Sequence, residues 1–138
     1  MQTRTERIQK DIETLAQFTS TPGKGVTRSS YSKEDTMAKY YLTGEMKKIG
    51  LEIYEDGFGT LFGRREGTMK DAPVVMLGSH YDSVVNGGAF DGVAGSVSAL
   101  EVMRVLTEEG FVNDYPLELI LMNAEEGATF GPSTGVSN

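Results

Sequence analysis

His80 is the chain's one histidine. It stands in the stretch GSHYDSVVNGGAFDG, residues 78–92, with Asp82 and Asp91 beside it and a cluster of glycines around them. A further acidic pair, Glu125–Glu126, follows in NAEEGATF. An imidazole and two carboxylates are good donors for zinc, manganese or cobalt. The chain has no cysteine, so thiolate sites and disulfides are excluded and any metal must be held by His, Asp, Glu or water. An aspartate can bridge two cations with its two oxygens. A second carboxylate beside a ligand can instead take a proton from water whose pKa a bound Zn²⁺ has lowered to about 7. Asp82, two residues after His80, is placed to hold the imidazole in one tautomer. Gly87, Gly88 and Gly92 would let the loop turn sharply and bring its backbone close to the ions.

Each of these residues also has an ordinary reading. A lone histidine after a strand is usually a surface or hydrogen-bonded residue, an isolated Glu-Glu pair is usually solvated, and glycines between a strand and a helix usually only make the turn. Their joint placement gives them weight, and that placement depends on the elements between them. Val74–Leu77 is an unbroken apolar run, which predicts a strand covered on both faces. Residues 92–109 carry Val93, Val97, Leu100, Met103 and Leu106 at helical spacing, with Ala94, Gly95, Ser96 and Ala99 small enough to let a helix lie close to a sheet. Gly110 ends that helix, and PLELILMN, 116–123, predicts a second strand. Strand, loop, helix, strand is a βαβ unit with parallel strands and a right-handed crossover. In open α/β sheets, ligands bind beyond the carboxyl ends of the strands. There His80, Asp82, Asp91, Glu125 and Glu126 would meet.

The N-terminal half predicts supporting structure. Ile8, Ile12, Leu15 and Ala16 recur at helical spacing within residues 3–19, and STPG stops that helix. KGVTRSSY, 24–31, reads as loop. Ser32 is an N-cap candidate with Asp35 three residues on, ahead of a second helix whose face carries Ala38, Leu42, Met46 and Ile49 and whose stop is Gly50. LEIYEDGFGTLFGRR reads as two short strands joined near Asp56–Gly57.

The bulk properties narrow the classes. A length of 138 residues suits one domain, and 38% hydrophobic with 24% charged residues is an ordinary globular balance. A formal net charge of −7 opposes nucleic-acid binding, which needs a positive face. The N-terminus lacks an apolar signal-peptide core, and no apolar run is long enough to span a bilayer, so a cytoplasmic location without membrane partners is the expectation.

Two stretches, GSHYDSVVNGGAFDGVAGSVSALEVMRVL and PLELILMNAEEGATF, closely resemble the di-metal amidohydrolases related to aminoacylases and glutamate carboxypeptidases. GVTRSSYSKED and YEDGFGTLFGRREG are similar to the branch of N-carbamoyl-L-amino acid hydrolases, β-ureidopropionases and allantoate amidohydrolases. The resemblance implies an α/β fold, with a mixed, largely parallel sheet and helices on both faces, in a di-zinc exopeptidase-like catalytic domain. It implies two divalent ions (Zn, Mn, Co or Ni). His80 would bind one ion, Asp91 would bridge both, Glu126 would bind the second, Glu125 would be the general base and Asp82 would support His80. The substrate would be a small molecule, an N-carbamoyl amino acid or a related ureido compound. Thr129 departs from the arginine that family members usually carry at that position. The family also has two further histidine ligands downstream, and a lid domain that makes the dimer interface. On this reading residues 1–138 are the N-terminal part of the catalytic domain, with weak metal affinity, little activity alone, and an exposed apolar surface and strand edge that favour self-association.

Other readings fit less well. GPSTG at 131–135 matches G-x-S-x-G, but it contains a proline, follows a turn-like segment and lies downstream of the only histidine, against the order in α/β-hydrolases. No G-x-G-x-x-G follows a strand and no P-loop lysine pattern occurs, which opposes a nucleotide site. An aminoacylase or aminopeptidase activity, or a non-catalytic remnant that serves as an interaction module, would share these residues.

Overall fold

A computed structural model describes residues 1–127, which run through α1 (Thr5–Ala16), α2 (Lys33–Lys48), β1 (Glu52–Glu55), β2 (Leu61–Arg65), β3 (Val75–His80), α3 (Val93–Glu108) and β4 (Leu117–Met122). Thr129 and the GPSTG segment lie outside the described residues. Ser32 caps α2 as its sequence predicts, its hydroxyl accepting the Asp35 N–H at 3.1 Å. Gly50 leaves that helix with a φ of 71°, a left-handed exit that favours glycine. Asp56 makes the β1–β2 turn by accepting the N–H groups of Phe58 at 2.9 Å and Thr60 at 3.0 Å on one carboxylate oxygen.

The strands form one mixed sheet in the order β1-β2-β4-β3. β3 and β4 pair in parallel with α3 between them in sequence, so the predicted βαβ unit is present. The β1–β2 and β2–β4 pairings are antiparallel, which confines the parallel part of the described sheet to one pair. Leu61, Leu119 and Leu121 point into the core with Leu42 and Met46 of α2 and Val97, Leu100 and Met103 of α3. Gly63 and Gly95 let two helices close on that face. A Cβ at Gly63 would sit 2.8 Å from the Met46 sulfur, and one at Gly95 would sit 2.8 Å from Cβ of Ser79. α1 packs on α3 rather than on the sheet.

The expected α/β class with one mixed sheet is present, and among the described residues α2 and α3 pack on the same face of that sheet. Val74, Val75 and Met76 are exposed, although their run predicts a strand covered on both sides. An apolar run reports affinity for burial but not which element supplies it. Gly78 has a φ of 157°, and a Cβ there would stand 1.7 Å from the Ile120 carbonyl oxygen of the neighbouring strand. No helix among the described residues is long and apolar enough to cross a membrane.

Candidate metal centre

The carboxyl ends of β3 and β4 carry the residues that the spacing singles out. β3 ends on His80, and Ser96 in the first turn of α3 donates its hydroxyl to the His80 carbonyl at 2.8 Å. Asp91 immediately precedes Gly92, the residue at the head of α3. Ligand atoms of His80, Asp91 and Glu126 all lie within 4.8 Å of one another. Glu125 joins them, since its Oε2 and Oε1 of Glu126 each stand 3.7 Å from His80 Nε2. Three separate stretches of chain thus converge at one rim.

His80 Nδ1 sits 3.0 Å from the Asp82 backbone carbonyl, which accepts a hydrogen bond from Nδ1–H and leaves Nε2 facing the acids. The Asp82 carboxylate is 3.6 Å from the same Nδ1. Its hydrogen bonds go elsewhere: it accepts Glu125 N–H at 3.3 Å, Glu126 N–H at 2.9 Å and the Ser30 hydroxyl at 3.4 Å. Asp82 therefore holds the imidazole through its main chain and clamps the Glu125–Glu126 segment through its side chain. The second of these contacts is invisible to a reading of H-x-D spacing.

Of the three glycines expected to shape the loop, Gly92 does so most directly. Its φ is 67°, and a Cβ there would lie 2.2–2.4 Å from three atoms of the His80 ring. Gly87 instead exchanges backbone hydrogen bonds with Val26, and a Cβ at Gly88 would meet nothing nearby. Gly92→Ala should tilt the imidazole. We expect divalent-metal affinity to fall about 10–100-fold and the fold to lose about 1–3 kcal/mol of stability. Metal titration and thermal melting would check this, and a variant with parental affinity would refute the close-packing argument.

The acidic surroundings set the electrostatics. The Asp82 side chain, foremost, pushes the His80 imidazole up to about 9 against the cost of burial, with the Asp82 carbonyl and Glu125 adding to the effect. Asp91 raises the Glu126 carboxyl by hydrogen bonding to it, and burial adds to that. Two carboxylates this close call for a shared proton or a cation between them. The donor set therefore fits divalent ions: a neutral Nε2 lone pair with acidic oxygens whose mutual repulsion a cation would relieve. Protons and metal compete for the same atoms, so affinity should rise with pH and level off above about 9. The rise should be about tenfold per pH unit while one proton is displaced. Calorimetric titration with Mn²⁺ would measure it, and an affinity unchanged between about pH 6 and about pH 8 would contradict it. In chelator-treated protein the sign reverses. The raised His80 pKa stabilises the fold fully below about 6.5, and that contribution is lost as pH rises through about 9.

Other residues that hold the site escaped the sequence reading. Arg28, in the segment read as loop, is 1% exposed. It donates to the carbonyls of Tyr81 at 2.7 Å, Leu15 at 2.6 Å and Phe18 at 3.0 Å, tying the end of α1 to the chain beside His80. Asn123 is fully buried ahead of the Glu125–Glu126 pair. A charged side chain in a polar loop gives no sign of burial, and neither residue belongs to a periodic pattern.

Residues 60–137 match the sequence profile of peptidase family M28. An N-carbamoyl-L-amino-acid amidohydrolase from Paenarthrobacter aurescens is 50% identical over 91% of this chain and 30% of its own length. An allantoate amidohydrolase from Bacillus subtilis is 39% identical over 86% of this chain and 29% of its own. The crystal structure of a hydantoinase/carbamoylase family amidase from Burkholderia ambifaria superposes with a TM-score of 0.90 at 35% identity, over 95% of this chain and 32% of that one. The chain spans about 30% of the length of the relatives it matches.

Proposed function

The chain belongs to peptidase family M28, and from that premise we propose that it serves metal-dependent hydrolysis of linear C–N amide bonds in ureido compounds, N-carbamoyl-L-amino acids first among them, with allantoate and β-ureidopropionate as related candidates. The observation that carries this reading is the convergence of His80, Asp91 and Glu126 donor atoms within 4.8 Å. The names of the amidohydrolase relatives support the substrate class.

In this reading His80 would hold one divalent ion (Zn, Mn, Co or Ni), Glu126 would hold a second, and Asp91 would be shared between them. Such ions, when bound, polarise a carbonyl and acidify water. Glu125 acts as general base. It takes a proton from the attacking water and returns it to the leaving nitrogen as the carbamoyl C–N bond breaks. Water's oxygen bonds the carbamoyl carbon, and the resulting carbamate decomposes to carbon dioxide and ammonia. Asp82 keeps Glu125 in place through the peptide N–H it accepts. Zn²⁺ commonly takes about four ligands. Among the described residues three donors shared between two ions leave both short of protein ligands, so this chain should bind metal weakly and turn over slowly.

The test is hydrolysis of an N-carbamoyl-L-amino acid with and without added Mn²⁺ or Co²⁺. Slow, strictly metal-dependent amino-acid release is expected, and Glu125→Gln should lower it by about 10²–10⁴-fold while metal content by elemental analysis is retained. Metal-independent turnover would defeat the proposal, and absence of any bound metal would favour a non-catalytic remnant. The peptidase-family match favours one second reading, an aminopeptidase or aminoacylase activity. Preference for a dipeptide or an N-acetyl amino acid over the carbamoyl substrate would establish it.

A further inference from the structure

The turn that carries Glu125 and Glu126 is also held by a buried polar assembly around Asn123. Asn123, the first residue beyond β4, is fully buried. Its side-chain oxygen accepts the Ala124 N–H at 2.9 Å. Its side-chain N–H₂ donates to Oδ2 of Asp35 at 3.2 Å and to the Phe58 carbonyl at 3.4 Å. Its own backbone N–H donates to the hydroxyl of Thr60 at 3.2 Å. A Cβ at Gly59 would sit 2.9 Å from the Asn123 amide nitrogen, so the β1–β2 turn is built to the shape of this amide. Ala124 then adopts a φ of 54°, a left-handed conformation unusual for a residue with a Cβ. That turn brings the next two N–H groups onto the Asp82 carboxylate.

Asp35 explains where the other end is anchored. It is 1% exposed in the first turn of α2, and its Oδ2 also accepts the Tyr31 N–H at 3.0 Å. Its Oδ1 is buried without a hydrogen-bond partner among the described residues. A helix-capping role alone needs neither an amide partner from a strand far away in sequence nor this degree of burial, and burying an acid in this way costs stability. Strained backbone held by a buried network is a recurring feature of functional sites.

We propose that Asn123 and Asp35 act together as positioning residues, locking Ala124 in its left-handed turn so that Glu125 and Glu126 face His80. This rests on the reading of His80, Asp91 and Glu126 as metal ligands only for its functional consequence. The mechanical claim is independent of it.

The experiment uses the 138-residue chain with three variants, Asn123→Asp, Asp35→Asn and the double substitution. Asn123→Asp sets two acceptors against each other across the 3.2 Å contact. Asp35→Asn alone keeps an acceptor oxygen and should be mild. In the double variant the new amide of Asp35→Asn can donate to the carboxylate of Asn123→Asp and relieve the clash there, at the cost of the Tyr31 N–H that the same Oδ2 accepts. Amide hydrogen exchange is read at Glu125 and Glu126, with the α3 amides as a control for global stability, and Co²⁺ affinity is titrated alongside. Asn123→Asp should speed exchange at Glu125 and Glu126 by about tenfold or more over any change in α3, with a similar loss of Co²⁺ affinity, and adding Asp35→Asn should restore part of both. Exchange at Glu125 and Glu126 that matches the parent, or that quickens only in step with α3, would overturn the proposal. A parent chain that binds no Co²⁺, or a His80→Ala variant that binds it as well as the parent, would instead sink the metal reading while the exchange data still decide the positioning role.

Discussion

Asp91→Ala should abolish paired-ion binding by this chain. The Asp91 oxygen lies within 4.8 Å of a His80 nitrogen and a Glu126 oxygen, which suits it to the bridging position proposed above. Its side chain is also the main cause that raises the Glu126 carboxyl, so removing it lets Glu126 ionise more readily while taking away the proposed bridge. Those effects oppose each other for a single ion but not for a pair held by a shared Asp91 carboxylate. Affinity should fall by more than about 100-fold, beyond the cost of losing an outer partner of a ligand. Asp91 is exposed, so the fold should change by no more than about 0.5 kcal/mol. Metal titration by calorimetry beside a thermal melt separates the two. A variant that still binds two ions per chain would end the case for Asp91 as bridge.

Asp11→Ala should have the largest effect on stability. Asp11 is 2% exposed on α1 and accepts two hydrogen bonds from the Arg104 guanidinium, at 2.6 Å and 3.2 Å, and a third from the Tyr41 hydroxyl. Arg104 of α3 also reaches Glu45 of α2 at 3.0 Å and lies 3.5 Å from the fully buried Glu101. One acid thus links all three helices at a point the solvent barely reaches. Removing one partner of a buried ion pair typically costs about 3–5 kcal/mol, because it leaves the other charge without its counterpart. Urea unfolding should show a lower midpoint with an unchanged slope. Metal affinity per folded molecule should match the parent, since the network lies on the helices rather than at the strand ends. A loss under about 1 kcal/mol would mean that Glu45 and Glu101 suffice to neutralise Arg104.

The helices and the hairpin were legible because their signals are local. Ala38, Leu42 and Met46 recur at helical spacing and are buried, Ser32 caps α2, and Asp56 turns the hairpin as expected. The parallel β3–β4 pair was legible too, since an intervening helix leaves few alternatives for two apolar strands. The buried ionic network was not. Asp11, Glu101 and Arg104 look like solvated helix positions, and only the approach of α1 to α3 takes them out of water.

By itself the sequence determined the element order, the donor types, and that His80, Asp91 and Glu126 come from strand ends and a helix start. Only the tertiary structure decided that the helices share one face of the sheet. It also decided that Asp82 turns its carboxylate to the Glu125 and Glu126 peptides, and that Asn123, just ahead of that turn, bonds Asp35 of α2. The physical reason is range. Periodicity, caps and turns depend on residues a few positions apart. A buried polar contact depends on which distant segments exclude water together, and residue types a few positions either side carry no record of that.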